Sequence, residues 1–330
     1  MEEYKGRINL SKETMLYIVN NIFNQNIRES TTKENILKLV KDMYQNADDE
    51  KIIKMLPYDS YRILEKLIEY SKNNSDIKSF VYKYEYANIK FLEDAMIIVC
   101  RAKYGKYNYS INLENMEFLK RLFSKENVKL AKKYRKLELL IKGLLYSYGI
   151  VEFEFFKDQI SKFMGEKITE EELNDIIFTR LNLNRIAKVS NVKINNNKKR
   201  TKFITYIDGE LWPIDKILKE QIVRNLMYKQ FTEIEILKRE EYFINSKGEK
   251  LYKFLNGDKN LKNDFNFKTI LKYNELGFNV LNFFSNSYKF ENELELAEFT
   301  KLFIDWHNNT PQYVLCGYTP NELSSIYYKR

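Results

Sequence analysis

His307 is the single histidine of the chain, so a general base or a metal site built on imidazole has one ring to work with. Cys100 and Cys316, the two cysteines, stand far apart and in no metal-binding or redox spacing. A Cys316–His307 nucleophile pair would lack a defined third group to orient the imidazole. With 10 glycines in 330 residues, neither a Walker A loop nor a G-x-G-x-x-G turn can be found. Carboxylate pairs such as Glu152/Glu154 and Glu293/Glu295 read as solvated charges on helices. These residues point to no enzyme, no cofactor and no metal.

The chemistry that the sequence does offer is positive charge. Lys129, Lys132, Lys133, Arg135 and Lys136 form one basic cluster. Arg185, Lys188, Lys193, Lys198, Lys199, Arg200 and Lys202 form another, with no acidic residue until Asp208. Both could neutralise phosphates, the interaction that dominates nucleic-acid affinity. A net charge of +9 and a pI near 9.1 permit such a partner without requiring it.

The second cluster is positioned by the most readable pattern in the chain, residues 137–208. LELLIKGLLYSYGIV reads as a helix closed by Gly149, and EFEFFKDQISKFMG as a second helix closed by Gly165. ITEEELNDIIFTRLNL opens with Thr169 three residues before Glu172, a capping box. The period then shifts towards two: RIAKVSNVKI and TKFITYID, joined by NNNKKR, read as a β-hairpin. Three helices followed by a hairpin is the winged-helix order, a variant of helix-turn-helix. The first turn of the third helix, however, carries Glu170, Glu171 and Glu172, then Asp175. Those carboxylates suit the helix dipole and would repel phosphate. Arg180, Asn182 and Asn184 come too late for base contacts from the helix N-terminus. Contact with duplex DNA, weakly sequence-specific, would therefore be led by the wing. The alternative is a helical adaptor whose winged helix docks a protein partner.

Around this module the chain reads as helix. Only 10 glycines and 4 prolines disfavour a many-stranded fold, and an aromatic content of 15% serves as core material. Residues 1–76 form a small helical module: Thr32 caps a helix carrying Ile36, Leu37, Leu39, Val40 and Met43. Pro57 separates it from a stripe of Tyr61, Leu64, Leu67 and Ile68. This pair of short helices around a Leu-Pro corner resembles the N-terminal helical module of the transcription terminator Rho, although a generic helical hairpin fits as well. SKNNSD at 71–76 reads as a linker, and a helix is expected over about 79–103. Residues 77–208 then hold a helical segment plus the winged helix, and 209–330 a C-terminal helical domain with polar stretches at 246–250 and 256–264. The fold class is mainly α, multidomain, with a central winged-helix module. A charged N-terminus and apolar runs too short to span a bilayer predict a cytoplasmic protein with no membrane partner.

The tail LFIDWHNNTPQYVLCGYTPNELSSIYYKR places Thr319-Pro320-Asn321-Glu322 as N-cap, first-turn proline and capping-box glutamate. Asn309-Thr310-Pro311 offers a similar helix start, and Trp306 and Leu323 are expected in the core. The tail resembles a family of uncharacterised bacterial proteins that end in NNTP followed by G-x-TP-x-EL. Trp306, Asn308, Asn309, Thr310, Pro311, Gly317, Thr319, Pro320, Glu322 and Leu323 carry the likeness, which extends loosely over 130–330. Some members append a cysteine-rich zinc-binding tail that does not follow here, so the resemblance implies no metal, and it brings a fold without an activity. WHNNTPQYVLCGYTPNEL also echoes the end of transposase integrase domains. Those need three carboxylates on an α/β sheet to hold two metal ions, and the sequence upstream is helical.

Overall fold

A computed structural model describes residues 12–17, 19–20, 25–46, 48–72, 86–94, 97–103, 106–111, 116–193, 200–207, 214–239, 245–256 and 290–327. The protein is mainly helical, and no described helix is long and apolar enough to cross a membrane. Two compact units share the chain. The first comprises Met1–Glu138 with Thr169–Arg185, and the second Leu139–Ile168 with Ile186–Arg330. The backbone thus passes between units at 138/139, 168/169 and 185/186, a division that follows neither 76/77 nor 208/209.

In the first unit lie α1 (Lys12–Tyr17), α2 (Lys33–Asn46), α3 (Asp49–Met55), α4 (Tyr58–Lys72) and α5 (Tyr86–Asp94). The hairpin β1 (Ile98–Lys103) and β2 (Lys106–Ile111) follows, then α6 (Met116–Leu122) and the first part of α7 (Lys125–Tyr148). Thr32 caps α2 as expected, its hydroxyl accepting from the Asn35 N–H at 3.4 Å. Pro57 separates α3 from α4, because a proline ring cannot continue the preceding helix. Tyr61, Leu64, Leu67 and Ile68 are buried, one face of α4.

Of the helix expected over 79–103, the described residues form α5 and then give way to strand. From Ile98 the chain turns to strand, Ile98 pairing with Ile111 and Lys103 with Lys106. Ile97, Ile98 and Val99 are β-branched, and Tyr107 and Tyr109 suit a pleated strand. Gly105 lies between the two runs, so local preference and turn chemistry agree once the pairing partner is known. Residues 79–85 and most of the linker at 71–76 lie outside the described residues.

The second unit takes the rest of α7, β3 (Ile150–Glu152) and α8 (Phe153–Met164). The chain returns to the first unit for α9 (Glu170–Thr179), then enters the second for β4 (Ala187–Lys193) and β5 (Arg200–Tyr206). Gly149 (φ 67°) and Gly165 (φ 72°) close α7 and α8 in the left-handed region, where a side chain is strained. Thr169 and Glu172 form the expected capping box on α9. Hydrogen bonds from the Thr169 N–H and hydroxyl hold the Glu172 carboxyl below its ordinary range. The cap is therefore strongest above the usual carboxylate range and weakens as pH falls through the lowered value. The strands form an antiparallel sheet in the order β3-β5-β4, with β5 central. The short β3 is not distinct in the sequence, where Ile150 and Val151 continue the apolar run of α7.

Further helices are α10 (Ile214–Arg224), α11 (Glu233–Leu237), α12 (Ser246–Asn256), α13 (Glu293–Asn308) and α14 (Pro320–Tyr327), with a 3₁₀ turn at Tyr313–Leu315. The stretch SKGEK at 246–250 is the start of α12, capped by Asn245, whose side-chain oxygen accepts from the N–H groups of Lys247 and Gly248. Phe203 and Val192 pack with Ile150, Ile217, Leu218, Val314 and Leu315, joining the sheet to α10 and the 3₁₀ turn.

The tail is folded by its own polar side chains. Thr319 accepts from the Glu322 N–H at 3.1 Å and its own N–H donates to Glu322 at 2.8 Å, the geometry that T-P-x-E predicts. Thr319→Ala should cost about 1 kcal/mol, read as a shift in the urea midpoint at unchanged slope. The reading of Asn309-Thr310-Pro311 as a helix start is corrected: these residues end a helix. The Thr310 hydroxyl donates to the Trp306 carbonyl and the Asn309 amide to the Asp305 carbonyl, each at 2.7 Å, so both satisfy last-turn acceptors of α13. Trp306 is fully buried, whereas Leu323 is only partly buried at the edge of the core.

Candidate nucleic-acid interface

Across the β4–β5 hairpin Lys193 stands directly opposite Arg200, Asn191 opposite Lys202, and Val189 opposite Ile204. Opposed residues of an antiparallel pair share a face. Lys193, Arg200 and Lys202 therefore lie on one face at the free end, while Ile204 and Tyr206 on the same face are buried nearer the sheet. Lys193 and Arg200 are exposed, and neither makes an ion pair among the described residues. Lys202 is half-buried, its ammonium 4.1 Å from the centroid of the Phe153 ring. Like charges placed directly opposite destabilise a hairpin by a few tenths to about 1 kcal/mol. Folding thus gains nothing from the Lys193–Arg200 pair. Lys188 and Arg185 are exposed as well, Arg185 lying 4.6 Å from the Phe91 ring centroid. Lys198 and Lys199 lie outside the described residues.

The other basic cluster belongs to the first unit, on the opening half of α7. Lys129, Lys132, Lys133 and Arg135 are exposed and Lys136 is half-buried. Arg135 stacks over Tyr58, 4.6 Å from its centroid, and Lys133 lies close enough to Glu172 to help lower its carboxyl. Ala131, Tyr134 and Leu137 face the core instead. At 100° per residue, Lys125, Lys129, Lys132 and Lys136 fall within an arc of about 60°. Lys125 does not stand out as a member of the cluster in the sequence, although helical spacing from Lys129 marks it. Neighbouring like charges at i,i+3 and i,i+4 cost roughly 0.2–0.5 kcal/mol per pair, and cations at a helix N-terminus also oppose its dipole.

The end of α9 is locked away. Arg180 is fully buried and its Nε donates to Glu138 of α7 at 2.7 Å. Its Nη1 donates to the carbonyls of Ile53 at 3.2 Å and Lys54 at 3.1 Å, at the C-terminus of α3. The Asn182 amide donates to the other Glu138 oxygen, and the Tyr58 N–H approaches Glu138 at 3.4 Å. This cluster fills hydrogen-bonding positions at both helix ends of the Leu56-Pro57 corner. The exposed side of α9 presents Glu170, Glu171, Asn174, Asp175 and Phe178 around a shallow open depression. Asp175 pairs with Lys54 at 2.7 Å.

Cys316 and His307 have separate partners. The Cys316 thiol lies 3.7 Å from the Leu226 carbonyl, and burial pushes it up to about 12, so it carries no thiolate at neutral pH. The His307 ring sits between Asn308 at 3.0 Å and Gln312 at 3.2 Å. Among the described residues no group of three or more His, Cys, Asp or Glu is placed to hold a metal ion. No family model, curated protein or solved structure matches the chain.

Proposed function

We propose that residues 137–208 form a winged-helix module and that the protein is a non-enzymatic, sequence-tolerant binder of nucleic acid whose basic wing contacts phosphates. The element order α7-β3-α8-α9-β4-β5, with β5 at the centre of the sheet, supports the module. The observation that carries the activity is the Lys193–Arg200 pair: two exposed cations held opposite one another with no carboxylate partner among the described residues. A polyphosphate relieves that repulsion, and release of its counterions supplies affinity. Base reading by α9 does not fit, since its exposed first turn is acidic and Arg180 is buried.

The test is duplex binding across a salt series. Lys193→Ala with Arg200→Ala should reduce the slope of log affinity against log salt by roughly 0.9 for each phosphate that is no longer neutralised. Glu170→Gln with Glu171→Gln should leave affinity unchanged or raise it. Loss of binding in the glutamine variant would overturn wing-led geometry. A second reading rests on Phe178, 49% exposed on the same side of α9 as Glu170, Glu171 and Asp175. Such a surface suits a basic protein partner, and wild-type protein that fails to bind duplex even at low salt favours it.

A further inference from the structure

Three of the lysines of α7 contribute no described contact to the fold. Lys125, Lys129 and Lys132 are exposed and make no ion pair or hydrogen bond among the described residues. They occupy one side of a helix whose opposite side, Ala131, Tyr134 and Leu137, is buried. Each lies a helical turn from the next, so their repulsions add along the stripe, and Lys125 stands in the first turn of α7, where the backbone dipole already carries positive charge. We infer that this stripe is a second phosphate-contacting surface, laid along a nucleic-acid backbone, so that the protein binds nucleic acid through one basic surface in each of its two units.

From Lys125 to Lys132 the stripe runs roughly 10 Å, long enough to follow consecutive phosphates of one strand. Lysine suits that role, because a flexible point charge reaches a phosphate oxygen without demanding a fixed base or groove geometry. An anionic membrane would also attract lysines. Helices that lie on lipid, however, insert an apolar face beside the basic one, and here the apolar face of α7 is in the protein core. The stripe therefore fits a polyphosphate backbone better than a bilayer.

The inference rests on the nucleic-acid reading, and the two can fail separately. The full chain is titrated with a labelled 40-base-pair duplex over a salt series as wild type, as the stripe variant Lys125→Ala/Lys129→Ala/Lys132→Ala, as the wing variant Lys193→Ala/Arg200→Ala, and as both combined. The stripe variant is expected to lower the salt slope by up to about 2.7, at roughly 0.9 per phosphate neutralised, and this decrease should add to that of the wing variant. Its melting temperature should hold or rise, because only repelling, exposed charges are removed. A stripe variant with wild-type slope overturns the second surface while leaving the wing intact. A normal slope in the wing variant beside a reduced slope in the stripe variant overturns the wing reading and retains the stripe. If wild type ignores duplex at low salt but binds vesicles containing phosphatidylserine in a stripe-dependent way, the stripe contacts lipid and the inference is wrong.

Discussion

Arg180→Leu is expected to lower stability by about 3–5 kcal/mol, the range seen when one partner of a buried ion pair is removed. The reason is what stays behind. Glu138 remains in a site where its side chain is 8% exposed, and the carbonyls of Ile53 and Lys54 are left without their donor. Urea denaturation followed by helical circular dichroism reads the change. Acidification should shrink the deficit, because a proton on the stranded Glu138 removes the buried charge. Adding Glu138→Leu tests the mechanism further. Apolar replacement of a buried pair is often neutral, but here Asn182 and the Tyr58 N–H would be left without their acceptor, so recovery should be partial. Wild-type stability in Arg180→Leu would mean that the cluster is no structural clasp.

Gly143→Ala carries the second large effect, and its sign runs against helix propensity. In an open helix the change gains about 1 kcal/mol. In α7 the added methyl would stand 2.1 Å from the Ile236 carbonyl oxygen and 2.8 Å from its Cγ2. The first of these neighbours is backbone and cannot rotate away, so the segment around α11 must be displaced. Insertion into a packed site costs about 1–3 kcal/mol, and the displaced backbone places this case at the upper end. A net destabilisation by thermal melting is expected. A variant more stable than wild type would show that α11 yields easily.

The features legible in the sequence are those decided by neighbours along the chain. Thr169 with Glu172, and Thr319 with Glu322, announce their caps because the partner is three residues away. Gly149 and Gly165 announce helix ends because left-handed backbone needs no distant partner. What escapes is decided at long range. The β1–β2 hairpin has the residue types of strands, yet AMIIVC alone also suits a buried helix. The burial of Arg180 is not legible along the chain, since arginine is almost never fully buried without a partner, and its partner is 42 residues away. Asn309-Thr310-Pro311 has the composition of a helix start, and only the Trp306 and Asp305 carbonyls show that it closes one instead. In the candidate interface, both clusters are visible as charge. The face shared by Lys193, Arg200 and Lys202 needs the strand register, and the inclusion of Lys125 needs the full length of α7.

The threefold passage of the backbone between units also sets an order of events during synthesis. Glu138 emerges from the ribosome before the 30 residues of Leu139–Ile168, which belong to the other unit, and well before Arg180. The first unit cannot complete its core until Leu173, Ile176 and Ile177 arrive, although α3 and α4 are made far earlier. In the interval a nascent chain exposes unfinished apolar surface, the condition that invites chaperones or misassembly. A protein cut into consecutive gene fragments at any of the three passages would strand part of one unit on the wrong piece, so genetic dissection of this chain calls for fragment complementation rather than truncation.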